Sequence, residues 1–281
     1  DTIDFVNIDS TGNATDFGNL TRGLYLVQAT ASRTRGLFHG AHSSPDPTRN
    51  NQIEFVTIAS TGNAADFGDL TEQGYGYNSG SSNGVRGLLS ILSTSADTTN
   101  NIINYVTIAQ NGNAVDFGDL TIGAYARKGN VASPVRSCWA GGTDLTSPTS
   151  RVIDYVTIST TGNAANFGDL TQASREGTGC SNAVRGFYFS GSGGTDNQIE
   201  AITIATLGDA FDFGDLTYGA EAAGGGASPT RAISAGGTDS GGKNIIDYWQ
   251  IATTGNAIDF GDRTVALYGC GVASNGHGGL G

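Results

Sequence analysis

The chain of 281 residues contains no methionine, only two lysines, and 14 basic residues against 26 acidic ones. Nucleic-acid binding depends on lysine and arginine neutralising phosphates, so a formal net charge of −12 argues against a nucleic-acid partner. There is no run of 18 apolar residues and no charged-then-apolar leader, so neither membrane insertion nor targeting is predicted. Without methionine at position 1, we expect a processed chain or a portion of a longer polypeptide.

Cysteine is also scarce, with one residue at each of positions 138, 180 and 270. No CxxC pair or Cys/His spacing accompanies them, which argues against a disulfide framework and against a structural zinc site. Free, buried thiols are the expected state of these side chains.

Helical patterns are missing as well. Glycine supplies 44 of the 281 residues, and no stretch of 11 or more residues keeps a helical apolar period. The sequence therefore predicts an all-β protein.

Against this background, one motif of the form TGNAADFGDLT occurs six times, starting at residues 11, 61, 111, 161, 207 and 254. Its first glycines are separated by 50, 50, 50, 46 and 47 residues. A period of this size is typical of solenoids and propellers.

Two further segments recur with the motif. An apolar, β-branched run precedes each copy, as in IDYVTI at 153–158. A second strand pattern begins at an arginine, with a serine or asparagine three residues earlier whose short side chain can bond a turn backbone. The arginines are Arg35, Arg86, Arg136, Arg185 and Arg231, and the turn residues are Ser32, Asn83, Ser133, Asn182 and Ser228.

These segments predict four short strands per repeat. The IDYVTI run, the Thr-Gly-Asn turn and the DFGDL run fit a β-hairpin, because Gly and Asn tolerate positive φ. Apolar groups on both faces of IDYVTI indicate a sheet covered on both sides, as in a propeller blade. We therefore expect one domain, residues 1–281, forming a six-bladed β-propeller with blades of about 47–50 residues.

Ring closure follows from where the repeats begin and stop. Residue 1 opens an IDFVNI strand, and the chain stops at SNGHGGLG, with His277 in the expected place of an arginine. We expect residues 274–281 to supply the first strand of a blade whose other strands come from residues 1–34, so that no strand edge stays free.

The repeat resembles the kelch family of β-propellers in its strand ending with a glycine pair, its variable loop and its Gly/Asn turn between aromatic strands. The glycine pair occurs at 141–142, 193–194 and 236–237, and phenylalanine stands where kelch repeats usually have tryptophan. The longer string IxYVTIxxTGNAxDFGDLT resembles repeats in structural proteins of marine tailed phages, particularly the contractile-tailed viruses of cyanobacteria. That resemblance covers almost the whole chain and implies a virion setting.

The repeated aromatic and basic residues are expected to build the scaffold. Each phenylalanine should be buried between blades, and each arginine should hold loops or carbonyl groups between blades through its forked donors. The phenylalanines are Phe17, Phe67, Phe117, Phe167, Phe213 and Phe260.

The paired acids of DFGDL, such as Asp66 and Asp69, could present oxygen ligands to calcium, but they lack the dense ligand run of a calcium loop. The favoured interpretation is that they cap turn N–H groups. His39 and His42 could be metal ligands. The alternative is an ordinary structural role for each of them in a strand or a loop. No nucleophile and base recur in recognisable order, so no catalytic residue, metal or cofactor is predicted.

Recognition is expected where the copies differ, because loops on a rigid scaffold usually carry binding. The candidates lie in the loops after the arginine strands, and they are His42, Asp46, Arg49, Asp97, Asp144 and Lys243. We expect a non-enzymatic virion structural or adhesion module on the virion surface or outside the cell, a tail-fibre or surface-exposed part that binds a host surface glycan or protein. Other virion or surface proteins are its further expected partners. The alternatives are a capsid- or tail-decorating attachment module and a secreted carbohydrate-active enzyme.

Overall fold

In a computed structural model of the chain, the described residues are 1–39, 42–43, 50–74, 79–92, 99–124, 126–127, 129–143, 149–192 and 197–276. Every helix or strand assigned within these ranges is a β-strand, and none of them contains a helix able to cross a bilayer. The all-β prediction is confirmed, and the sheets are arranged as a β-propeller.

The strands follow one another along the chain as short segments. They are β1 Thr2–Phe5, β2 Thr15–Asn19, β3 Leu24–Tyr25, β4 Gln28–Ala31, β5 Arg35–His39, β6 His42–Ser43, β7 Asn50–Thr57, β8 Ala65–Gly74, β9 Ser79–Ser82, β10 Arg86–Ile91, β11 Ile102–Thr107, β12 Val115–Asp119, β13 Gly129–Ala132, β14 Arg136–Ala140, β15 Ser150–Thr157, β16 Ala165–Ser174, β17 Thr178–Ser181, β18 Arg185–Phe189, β19 Gln198–Thr203, β20 Phe211–Asp215, β21 Gly224–Ala227, β22 Arg231–Ala235, β23 Lys243–Gln250 and β24 Ile258–Leu267.

The described strands form five four-stranded antiparallel sheets, each in chain order: β4-β5-β7-β8, β9 to β12, β13 to β16, β17 to β20 and β21 to β24. We number these sheets 1 to 5 and call their strands A to D, with the A strands innermost and in contact from one sheet to the next. The copy that starts at residue 11 forms the two-stranded sheet β1-β2, and we call it the sixth copy because the other five lie in sheets 1 to 5; β3 pairs with β6 in a second short sheet. The arginine strand expected for this copy falls on residues 277–281, outside the described residues.

The predicted hairpin of each copy is present as strands C and D. In sheet 3, Ile153 and Asp154 are buried, and a bulge between them shifts the register against Gly168 and Asn166. The same bulge recurs in every C–D pair and in β1-β2. Since both faces of strand C are buried, the prediction of a sheet covered on both sides is confirmed.

The two halves of the repeated motif bind each other across neighbouring sheets rather than within one sheet. The amide of Gly162 donates to the carbonyl of Phe117 at 2.8 Å, and that of Ala164 donates to the carbonyl of Asp119 at 2.7 Å. The Asn163 Oδ1 atom accepts from the Asp119 amide at 3.1 Å. We call this group of bonds the clasp.

The clasp occurs six times, and the sixth instance joins Gly12 to Phe260 at 2.9 Å. It also accounts for the glycine of the DFGDL run. A Cβ atom on Gly118, whose φ is +144°, would lie 2.5 Å from the Gly162 carbonyl oxygen. Only glycine permits both that backbone conformation and that approach.

The arginine at the start of each B strand joins its own sheet to the next one. Arg136 stacks on Tyr155 at 4.9 Å, and its Nη1 donates to the carbonyls of Ile204 and Ala205 at 3.1 and 2.8 Å. The other four arginines likewise donate to a carbonyl of the following copy, in the pairs Arg35–Ile108, Arg86–Ile158, Arg185–Ile251 and Arg231–Ile8. All six motif phenylalanines are buried.

A buried polar residue in strand C supplies another contact between sheets, which sequence reasoning missed. Asp154 accepts from the Thr121 hydroxyl of the preceding copy at 2.5 Å. The equivalent pairs are Thr21–Glu54, Thr71–Asn104, Thr171–Glu200, Thr217–Asp247 and Thr264–Asp4. The signal was present in the sequence, because an acid or amide recurs at one position of an otherwise apolar run.

Residues 270–276 lie between the innermost strands of sheets 5 and 1. A Cβ atom on Gly271 would lie 2.8 Å from the backbone of Gln28 and Ala29. On the other side, the Val272 side chain lies against Gly224 and Gly226 of β21. The Ser274 hydroxyl donates to the Ala227 carbonyl at 2.7 Å.

Alternate copies share features that their neighbours lack. The D strands of sheets 1, 3 and 5 have 10 residues, whereas those of sheets 2 and 4 and β2 have 5. The last A-strand position also alternates: Ser82 donates to the carbonyl of Ala31, Ser181 to that of Ala132 and Ser274 to that of Ala227. The repeating unit is therefore a pair of copies.

Candidate functional site

The propeller has two unlike faces because the strands of each sheet alternate in direction. We call the end with the A–B and C–D turns the turn face, since short, repeated turns form it. The opposite end carries the B–C and D–A connections, which differ in length and sequence, and we call it the loop face. The candidate site lies on the loop face.

Of the residues predicted for binding, Lys243 is the one whose side chain lies within the described residues. It begins β23, and its Nζ atom forms an ion pair with Asp239 at 2.8 Å. His42 lies in β6, where its backbone pairs with Tyr25 of β3. Asp46, Arg49, Asp97 and Asp144 lie outside the described residues.

An exposed pair of tyrosines is the most prominent feature near these two residues. Tyr25 and Tyr268 are 39% and 41% exposed, and their rings meet edge to face with centroids 5.4 Å apart. Strand pairing sets Leu267 opposite Lys243, so the tyrosine after Leu267 lies close to that lysine on the loop face. Sequence reasoning missed this pair because the two residues belong to different copies and neither recurs in the motif.

The tyrosines border a cavity with a volume of about 360 Å³. We call it the tyrosine cavity. Its walls are mostly apolar, with Ile3, Phe17, Phe38 and Ile246 among them. Arg263, Asp1 and Asp4 supply charged groups. An apolar concavity with a few polar groups at its opening is the usual form of a ligand site.

A second feature of the loop face surrounds the propeller axis. Leu26, Ala126, Glu176 and Ala222 have positive φ values between 50° and 61°, in the connections that lead into A strands. Backbone bonds link neighbouring connections, from Glu176 N to Ala126 O at 2.9 Å and from Ala222 N to Glu176 O at 2.6 Å. Such strained backbone is concentrated at functional sites, where the surrounding fold holds it in place.

Two carboxyl groups meet beside these connections around the axis. Burial raises the pKa of Glu176; nearby Arg175 lowers it, and the charge and hydrogen bond of Glu221 raise it further. The side chains come from successive D–A connections. A carboxyl with a raised pKa beside a second acid can hold a proton between them.

Next to Ala126 in the same connection, Arg127 forms an ion pair with Asp154 at 3.0 Å, and both side chains are fully buried. Burial lowers the pKa of Arg127, while the charge and hydrogen bond of Asp154 oppose that shift. The Nη2 atom also donates to the Ile122 carbonyl at 3.1 Å. Because a buried ion must keep its partner, this pair fixes the position of the D–A connection against sheet 3.

His39 is fully buried in β5, and neither ring nitrogen has a hydrogen-bond partner among the described residues. Its ring faces Gly80 of the next A strand, as Phe189 faces Gly225. Burial lowers the pKa of His39 to about 3. In this setting the imidazole behaves as a neutral core side chain.

The buried imidazole predicts an acid-dependent loss of stability. The folded pKa lies below the unfolded value of about 6.5, so stabilisation is complete above pH 6.5 and falls as the pH drops towards 3. At pH 4.5 the loss should be about 2–3 kcal/mol. Urea unfolding at pH 7.5 and 4.5 measures this loss of unfolding free energy. In His39→Phe, which reproduces the Phe189–Gly225 contact, the difference between the two pH values should be smaller by that amount. Equal pH dependence of the two proteins would contradict this assignment.

The favoured sequence interpretation of the DFGDL acids needs correction. In the clasp the backbone amide of the second acid, for example Asp119, donates to the asparagine side chain of the next copy. The first acid, for example Asp116, is exposed. The turn asparagine therefore caps the strand, because its side chain reaches across the gap between sheets. Within the described ranges no group of three or more His, Cys, Asp or Glu side chains is placed to hold a metal.

The cysteines are free, as expected from the sequence. Cys138 and Cys180 are buried and Cys270 is partly exposed. Burial raises the pKa of Cys138 to about 12, so this thiol stays protonated at neutral pH.

Comparison with known proteins does not assign the chain to a group. No protein-family model matches the sequence, and no curated protein is significantly similar to it.

Proposed function

We propose that the chain is a non-enzymatic, virion-surface binding module whose loop face recognises a host surface glycan or protein. The observation that carries the proposal is the contrast between the two faces. Repeated contacts build the turn face, whereas the loop face combines unlike connections with the exposed Tyr25–Tyr268 pair at the tyrosine cavity. The virion setting is inferred from the resemblance to marine tailed-phage structural proteins.

We propose a closed six-bladed ring as the scaffold of this module. Support comes from the sixth clasp between Gly12 and Phe260 and from the Arg231–Ile8 bond, which join β24 and sheet 5 to the β1-β2 hairpin. The hairpin would be the outer half of a sixth blade, with residues 270–274 in its A position. In this arrangement β3 and β4, within residues 1–34, belong to the first blade rather than the sixth.

The chemistry of the loop face suits a carbohydrate. Aromatic rings offer apolar surface to the C–H groups of a sugar, and the charged groups nearby can hydrogen-bond its hydroxyls. Lys243, Asp239 and Arg263 lie in the same part of the loop face. A host glycan is therefore the favoured ligand.

Removing either tyrosine should weaken glycan binding by about tenfold or more, corresponding to about 1.4 kcal/mol, because exposed aromatic residues often dominate recognition. The experiment screens the full chain on a glycan array and then measures affinities for Tyr25→Ala and Tyr268→Ala by calorimetry. The control is Phe211→Ala, which removes an aromatic ring of similar exposure, 39%, from the turn-face end of a strand. Unchanged affinity in both tyrosine variants, or an equal loss in the control, would refute this assignment.

One observation favours the second candidate, a capsid- or tail-decorating attachment module. Val85, Val135 and Val184 occupy equivalent A–B turns of three consecutive sheets and are 57–67% exposed. A row of aliphatic side chains on the turn face could bind another virion protein. Symmetric distribution over the capsid, and loss of attachment in Val135→Asp, would favour decoration; location at a fibre tip would favour adhesion.

The third candidate is a secreted carbohydrate-active enzyme. Glycoside hydrolysis needs a carboxyl with a raised pKa as its proton donor, and burial raises the pKa of Glu176 beside Glu221. The full chain should be assayed for hydrolysis of cyanobacterial and algal surface polysaccharides. Saturable turnover that Glu176→Gln abolishes, with folding preserved, would overturn the non-enzymatic proposal.

A further inference from the structure

The connections from strand D to strand A repeat one backbone arrangement around the axis. Glu176, Ala222 and Gly269 each donate their amide to the carbonyl of the equivalent residue in the preceding copy, at 2.9, 2.6 and 2.8 Å. These three residues, together with Leu26 and Ala126, have positive φ values between 50° and 67°. From Ala126 to Gly269 they recur at the spacing of the motif glycines. We call the five residues the axial ring.

The residue before a ring member has the same backbone pairing in three copies but a different side chain. Each pairs antiparallel with a residue of the connection from strand B to strand C, in the pairs Tyr25–His42, Arg175–Ser192 and Glu221–Thr238. Tyr268 likewise precedes the ring member Gly269. The fold therefore places two tyrosines, an arginine and a glutamate at equivalent points of the loop face. We call these four residues, together with Glu176, the axial mouth.

The axial mouth has an aromatic part and a charged part. Tyr25 and Tyr268 are exposed and touch edge to face. The Arg175 side chain is 41% exposed, and its Nε atom lies 3.7 Å from Glu176 Oε1. Glu176 is in turn hydrogen-bonded to Glu221. Apolar rings next to polar groups of both charges form a surface that suits a sugar, which has C–H groups and hydroxyls.

A small cavity lies directly inside the axial ring, and we call it the axial cavity. Its volume of about 20 Å³ is room for a single oxygen-sized group, and its lining includes Glu176 and Arg127. The Arg127 side chain is fully buried, and its Nε and Nη1 atoms find no hydrogen-bond partner in the described part of the chain. A buried donor without an acceptor is costly, so an oxygen atom of a ligand suits this cavity.

The charges beside the axial cavity select the kind of group that can enter it. A carboxylate or sulfate would meet Glu176 and Glu221, and an ammonium group would meet Arg127 and Arg175. A hydroxyl group avoids both repulsions, because it can accept from an arginine and donate to a carboxyl oxygen. The arrangement therefore favours a neutral sugar over an acidic sugar or an amino sugar.

We propose that the axial mouth is the glycan site of the loop face, and that it binds a neutral sugar with one hydroxyl group in the axial cavity. The Arg127 donors and the Glu176 carboxyl hold that hydroxyl, and the Tyr25–Tyr268 pair contacts the C–H groups of the glycan. This inference rests on the glycan recognition proposed above, to which it adds the class of sugar and the charged part of the site.

Saturation-transfer NMR on the full chain tests the class of sugar. The neutral probes are the methyl α-glycosides of glucose, galactose and mannose, and the charged probes are glucuronic acid and glucosamine. At least one neutral glycoside should receive saturation from the protein, and the charged probes should receive less. Equal or stronger transfer to a charged probe would overturn the proposal. Absence of transfer to all three neutral glycosides would overturn it too, while the glycan array decides separately whether the chain binds a glycan.

Glu176→Ala tests the charged part of the mouth. Ala126 and Ala222 already hold alanine in the same ring conformation, so the substitution should leave the fold intact. The affinity for the neutral glycoside should fall about tenfold or more, because the sugar hydroxyl loses its acceptor. The control is Glu72→Ala, which removes an exposed glutamate of β8 at the outer edge of sheet 1 and should leave the affinity unchanged. Binding that Tyr25→Ala weakens and Glu176→Ala leaves unchanged would overturn this inference alone, and the proposed function would stand.

Discussion

Replacing Phe117 with alanine should lower the free energy of unfolding by about 3–5 kcal/mol, the range for an aromatic side chain removed from a packed core. Phe117 packs between sheets 2 and 3, against Trp139, Val156 and Ile158, and its ring meets Tyr105 edge to face at 6.0 Å. The substitution therefore opens a void at an interface between sheets, where the backbone clasp limits collapse.

The matched control is Val115→Ala, two residues earlier in the same strand, where the side chain is 53% exposed. It should change stability by less than about 1 kcal/mol, because little of the side chain is buried. Denaturant unfolding of the full chain measures both variants. Equal losses would mean that the phenylalanine does not act as an interface residue.

Replacing Arg127 with methionine should cost about 3–5 kcal/mol, because it leaves the Asp154 carboxylate buried without its counter-ion. Adding Asp154→Asn should recover most of that loss. Asparagine is what the neighbouring copy uses at the same position, where Asn104 accepts from the Thr71 amide at 2.9 Å without a buried arginine.

Denaturant unfolding of the two single variants and the double variant completes a thermodynamic cycle. A coupling energy near zero would show that the two charges do not depend on each other. Loss of folding in the double variant would show that the arginine stem, rather than its charge, holds the D–A connection.

The scaffold could be predicted from the sequence because each copy repeats the residues that form it. The C–D hairpin, the turns bonded by Ser32 or Asn83 and the buried phenylalanines all follow from local pattern. Contacts between copies were harder to infer. A single copy does not tell whether Asn163 binds within its own turn or reaches the neighbouring strand, so the role of DFGDL was misassigned.

The candidate site was less predictable for a physical reason. Tyr25 and Tyr268 are far apart in sequence and meet because the innermost strands return to neighbouring places around the axis. The buried Arg127–Asp154 pair is likewise specific to one copy. Loop variability indicated the face that we propose for binding, whereas contacts between distant copies decide which side chains meet there.

The alternation of long and short D strands has a consequence for how such a ring can be assembled. In the proposed six-bladed ring, a rotation by a third of a turn would relate equivalent contacts, because the length of strand D alternates from one copy to the next. A chain of two adjacent copies would carry each kind of contact once, with complementary ends. If the ring closes with six blades as proposed, three such chains could form the same ring as a cyclic trimer, without the covalent links between the pairs.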